Sequence, residues 1–193
     1  MKNFYTLFLY LFLTHLAYCQ NDSIVGVVKY NLKLKLGLPS QNQSILYFNS
    51  KNSAFVQGKY NLTEKPEKLV NHSSSDKRND QIIYFVDTFE NKLYKKDKIN
   101  KENILVEEKL PKIDWKINLN KKDTILGKLC YKAIGDFRGR TYSVWYAPNL
   151  PVKFGPWKIQ GLPGLILKLN DNFKQIDFDA VSIEFKKIKD ISQ

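Results

Sequence analysis

Few residues in this chain are equipped for chemistry. Asp177 and Asp179 sit two apart in the run Ile176-Asp177-Phe178-Asp179-Ala180. On a strand that spacing puts both carboxylates on one side, about 7 Å apart, where they could hold a metal or serve as acid and base. The intervening Ile176, Phe178 and Ala180 give a plainer reading, in which the two carboxylates mark the solvated side of a strand. His72 lies in a polar stretch, the other histidine, His15, falls in the N-terminal segment, and with no paired Cys and no HxxxH or CxxC pattern nothing completes a site around it. No catalytic residue, metal ligand or cofactor is therefore expected. Cys130 stands alone once the N-terminal Cys19 is set aside, and reads as a buried small hydrophobe.

The formal net charge is +12, from 31 Lys and Arg against 19 Asp and Glu. Only Arg78, Arg138 and Arg140 are arginines, and the lysines are dispersed among many asparagines. Phosphate and base recognition favours the arginine fork, so no nucleic-acid partner is expected. With 193 residues, 43% hydrophobic and 26% charged, the composition is that of a folded globular chain of one domain's size.

The first residues read as an address. Lys2 precedes the apolar run Phe4 to Leu13, followed by Leu16-Ala17-Tyr18-Cys19 and then polar Gln20-Asn21-Asp22. This is the pattern of a secretory signal peptide with cleavage after Cys19, because Ala17 and Cys19 are the small residues such a site requires. The run is too short for a spanning helix. Residues 1–19 are thus expected to be a signal and 20–193 a single exported domain in the periplasm or outside the cell, not an integral membrane protein. The competing pattern is a lipoprotein box at Cys19, where bulky Tyr18 occupies a position that wants a small residue.

The elements that would position any site are strands. Residues 24–36 alternate Val28, Tyr30, Leu32 and Leu34 against Lys29, Asn31, Lys33 and Lys35, as in a half-buried strand. Segments 44–49 and 53–60 read as one hairpin, and 126–136 with 141–147 as another around Arg138-Gly139-Arg140. Strand pattern continues through 81–88, 91–95 and 103–107, and 111–119 carries Trp115 into another extended segment. Near the end, Ile176, Phe178 and Ala180 alternate on even numbers and Val181, Ile183 and Phe185 on odd ones, the mark of a β-bulge around Ala180-Val181. Short helices are conceivable at 63–80 and 111–122. The fold expected is mainly β: a strongly curved antiparallel sheet or half-barrel with one or two short helices.

The most informative stretch is Gly155-Pro156-Trp157-Lys158-Ile159-Gln160-Gly161-Leu162-Pro163-Gly164-Leu165-Ile166. Its glycines and prolines impose specific turns, and Leu165, Leu167 and Leu169 begin a strand. The string GLPGLI at 161–166, the preceding GPWK and Trp145-Tyr146-Ala147-Pro148 resemble the GLPGLI family of exported Bacteroidetes proteins. Upstream, Cys130, Lys132 and Ala133 and the Gly139-Arg140 turn are similar to that family's pattern, so that roughly 115–170 is covered. One departure is Ala147, where that family commonly has Thr. The resemblance implies a cell-envelope protein without an assigned reaction, and its strand pattern also resembles the half-barrel of lipoprotein carriers.

The leading functional expectation is a non-catalytic binding or carrier module for an apolar small molecule or extended peptide. Arg140, Trp145, Trp157, Leu162 and Pro163 are its candidate contacts. The second expectation is an accessory protein of an outer-membrane assembly, with an outer-membrane protein as partner. The third is a hydrolase using carboxylates. A carrier requires a deep dry concavity, whereas a scaffold requires an exposed apolar patch at Leu162, Pro163 and Leu165.

Overall fold

The computed structural model describes residues 23–36, 40–57, 81–99 and 102–188. Eleven strands form one antiparallel sheet: β1 (Ser23–Leu34), β2 (Ser40–Phe48), β3 (Asn52–Gln57), β4 (Ile82–Asp87), β5 (Lys92–Ile99), β6 (Glu102–Lys109), β7 (Lys116–Ile125), β8 (Lys128–Phe137), β9 (Arg140–Ala147), β10 (Leu165–Asp171) and β11 (Ile176–Ile188). Their spatial order is β6-β5-β4-β3-β2-β1-β11-β10-β9-β8-β7. Each half is an up-and-down meander. The halves join at a central seam, where β1 pairs with β11.

This order forces the sheet to curl. Laid flat, eleven strands would hold the edges β6 and β7 roughly 48 Å apart. The six residues Leu110 to Trp115 that link them can reach about 25 Å at full extension. The sheet therefore bends its edges towards each other without closing, as the strand-rich pattern led one to expect. Alternation decides the inner face: Val28, Tyr30, Leu32, Leu46, Phe55, Tyr84, Val86, Leu93, Val144, Leu169 and Phe178 meet in one core drawn from both halves. Edge-on aromatic pairs such as Tyr30 with Phe178 and Phe55 with Phe178 knit the seam to β3.

The expected bulge is present. Lys29 pairs with Ser182 and Tyr30 with Ala180, so Val181 is the extra residue that shifts the apolar face from even to odd numbers. Both expected hairpins form, as β2–β3 and β8–β9. The short helix conceivable at 111–122 does not. Residues 111–115 are irregular and 116–122 belong to β7, because Lys116 to Asn118 and Lys122 to Ile125 find ladder partners on β8. The other helix, at 63–80, and His72 lie outside the described residues, as do the signal and its cleavage site at Cys19.

Candidate functional site

The 17 residues between β9 and β10, 148–164, form a strap across the inner face. Pro148 and Asn149 turn the chain; the Leu150 N–H donates to the Ala147 carbonyl, and the Leu150 carbonyl accepts from the Leu165 N–H. Phe154, Ile159 and Leu162 then drop into the common core, each 2% exposed or less. The strap is fastened by polar bonds on both sides of the curl. Trp115 Nε1 donates to the Gln160 carbonyl at 2.9 Å, and Gln160 Nε2 donates to the Pro111 carbonyl at 3.4 Å. Lys158, 3% exposed, donates to Glu108 on β6 and lies 5.7 Å from the Tyr84 ring centre. Glu108 also accepts from Arg138 at 2.8 Å. The Lys158 hydrogen bond holds the Glu108 carboxyl below its ordinary range, against a desolvation that would raise it.

The motif glycines serve this packing. A Cβ on Gly164 would strike the Ala147 carbonyl and stand 2.8 Å from Pro148 Cα, while Gly161 adopts φ +97°. Gly155 and Pro156 are buried, and Leu165 and Ile166 are fully buried at the start of β10. Pro163 is exposed. Trp157, partly buried at φ +57°, packs edge-on against Phe137 at 5.7 Å and near Tyr142 at 6.4 Å. Burial of Leu162 and Leu165 leaves Pro163 alone of the three in solvent. The flat apolar patch that a scaffold requires does not form there.

Arg140, at the tip of the β8–β9 hairpin, donates to Asp171 and to Gln175 at 3.0 Å, and its guanidinium lies 5.1 Å from the Phe173 ring centre. The Asp171 side chain is fully buried and also accepts backbone N–H bonds from Gln175 at 2.7 Å and Ile176 at 2.8 Å. Burial would raise its carboxyl, but those N–H groups and the guanidinium hold it below the usual range. Arg140 and Asp171 thus fix the β10–β11 turn to the neighbouring hairpin.

Beside that turn opens a cavity of about 490 Å³, lined by Lys33, Lys35, Asn170, Asp171, Asn172, Lys174, Ile176 and Asp177. Here the carboxylate pair of the sequence separates in character. Asp179 accepts ion pairs from Lys168 at 3.1 Å and Lys33 at 3.9 Å. Asp177, flanked in the ladders by Lys33 and Asn170, keeps a buried Oδ1 without a hydrogen-bond partner. Desolvation, and secondarily the charge of Asp179, push its carboxyl up despite Lys168, Lys33 and Lys35. Trp145, on the same outer side of the sheet, pairs across the ladder with Lys168 and Lys132. The structure thus brings Asp177 and Asp179 together, while Trp157 and Leu162 lie in and under the strap. Cys130 is fully buried, its thiol pushed up to about 11 by desolvation.

Lys158, Glu108 and Asp171 escaped the sequence reading. Lys158 alone carried a signal, a lone charge within an apolar run between Trp157 and Ile159. Among the described residues no group of three or more His, Cys, Asp and Glu side chains is placed to hold a metal ion, and no helix is long and apolar enough to cross a membrane.

Comparison with known proteins corrects two expectations. The family model "N-glycanase peptide, N-terminal domain" matches residues 30–193. No curated protein matches the chain. Structures of PNGF-II in space groups P21 and C2 each superpose with a TM-score of 0.61 at 22% identity, over 87% of this chain and 29% of theirs. That likeness establishes the fold, and the chain spans less than a third of the PNGF-II length. The resemblance to the GLPGLI family is overturned by that family match: the string at 161–166 is the end of the strap and the start of β10, with Gly161 at positive φ and Gly164 against the Ala147 backbone. The carrier for an apolar ligand or peptide falls with it, since the concavity such a carrier would use is filled by Phe154, Ile159 and Leu162. The family agrees with an exported protein. With a model matched over most of its length, this chain belongs to the N-glycanase peptide N-terminal domain family.

Proposed function

We propose that this chain acts in N-glycan removal, outside the cytoplasm after loss of residues 1–19, by seating an N-glycosylated polypeptide for an N-glycanase-type reaction. The observation that carries the reading is the family match over 30–193. The site geometry supports it. The inner face is occupied by the chain's own strap, so a ligand must be met on the outer side or at the strand ends. The cavity at the β10–β11 turn offers amides, amines and two carboxyls, groups that donate to and accept from sugar hydroxyls, over one apolar side chain, Ile176.

The test is calorimetric titration of the full mature chain with a peptide carrying the chitobiose core on Asn, against the same peptide without sugar. Saturable binding of the glycopeptide alone is expected. Equal binding of both peptides, or none of either, overturns the proposal. Mass spectrometry of the recovered glycopeptide adds a check on chemistry, because hydrolysis of the glycosylated amide converts its Asn to Asp.

A further inference from the structure

The cavity at the β10–β11 turn carries more positive charge than a neutral sugar requires. Three amines line it, from Lys33 on β1, Lys35 just beyond the end of β1, and Lys174 in the turn. Lys33 is shared with Asp179 at 3.9 Å. Neither Lys35 nor Lys174 forms an ion pair among the described residues. Of the two carboxyls in the wall, Asp171 is neutralised by Arg140 and by two backbone N–H groups. The other, Asp177, has a buried oxygen with no partner. A cation would find those amines hostile, and a hydroxyl would leave their charge unanswered.

We propose that this cavity is a subsite for a carboxylate-bearing sugar. The inference rests on the glycan-directed reading above and specifies the class of sugar. Lys35 and Lys174 would face the ligand's carboxylate. Asp177, whose carboxyl is pushed up by burial and by the neighbouring Asp179, opposes the ligand's carboxylate less than an ordinary aspartate would. Asn170 and Asn172 present donors and acceptors to the ring hydroxyls, and Ile176 a surface for ring C–H groups. The volume of about 490 Å³ falls in the range of small-ligand sites, roughly 300–1,000 Å³.

The experiment titrates the full mature chain by calorimetry with sodium glucuronate, with glucose as the same ring lacking the charge, and with acetate as the charge lacking the ring. Glucuronate is expected to bind saturably and at least tenfold tighter than either control. The double variant Lys35→Ala/Lys174→Ala should weaken it at least tenfold. Asp177→Asn, which removes the opposing charge, should bind it as well as the parent or better. Glucose binding equal to glucuronate, acetate binding equal to glucuronate, or indifference to the double lysine change would each overturn the subsite. Unchanged melting temperatures in the variants secure the comparison. If glucuronate fails while the neutral glycopeptide still binds, this inference alone is lost; if both fail, the broader reading is lost too.

Discussion

At Gly164 the strap runs so close to the end of β9 that one methyl group has nowhere to go: the Ala147 carbonyl carbon would stand 2.7 Å from it. The obstacle is backbone rather than a movable side-chain tip, so Gly164→Ala should cost about 2–3 kcal/mol, read as a lowered midpoint in guanidinium unfolding. Gly161 meets its nearest neighbour, Trp115 Nε1, only at 3.7 Å, and there alanine should cost roughly 1 kcal/mol through its positive φ alone. A reversed order of the two would refute this account of the motif. Arg140→Met leaves Asp171 buried without its cation. With two N–H bonds still in place, the loss should be about 2–4 kcal/mol in the same assay. The Cys130 thiol, buried and titrating near 11, should resist a thiol reagent at neutral pH until the chain is unfolded.

Among the elements, the link between strap and sheet edge is the one most open to dissection. Lys158 reaches Glu108 on β6, and Glu108 also takes Arg138 from the β8–β9 turn, so one carboxylate ties three segments that are remote in sequence. A double-mutant cycle with Glu108→Gln and Lys158→Met should give a coupling of roughly 1–3 kcal/mol. Hydrogen exchange should then quicken in β5 and β6 before β9 and β10; uniform quickening would show that the tie does not govern the edge. Period-two alternation made most strands legible in advance, down to the bulged residue Val181, because one buried face leaves a parity that a single inserted residue must break. β7 was harder, since exposure on both sides removes the parity and leaves only the ladder to β8 to define it. The candidate site was legible only in Asp177 and Asp179. Their division of labour depends on Lys33 and Lys168, brought from β1 and β10 by tertiary pairing, which local spacing cannot encode.

For the molecule as a whole, acid should be the vulnerable direction. Asp171 and Glu108 have carboxyls held below their ordinary range, so each adds stability above its unfolded pKa, about 4, that is lost as pH falls through the folded value. Asp177, pushed up, works the other way: its contribution is complete at low pH and lost as pH rises through its folded value. Two groups oppose one, and unfolding midpoints should decline below about pH 4.5, with a shallower decline in Asp171→Asn. A profile flat down to pH 3 would contradict this.

The central seam sets Ser23 opposite Ile188, on neighbouring strands about 5 Å apart. Each meander can pair locally, but the seam must bring together segments from opposite ends of the chain, with Tyr30 donating to the Ile166 carbonyl across 136 residues. A circular permutant that joins Ile188 to Ser23 and opens between Lys109 and Lys116 would read β7 through β11 and then β1 through β6. Every strand would pair with its immediate successor, and the most distant closure would become a hairpin. Such a chain keeps the same eleven-strand ladder at much lower contact order, and should refold faster than the parent in stopped-flow fluorescence.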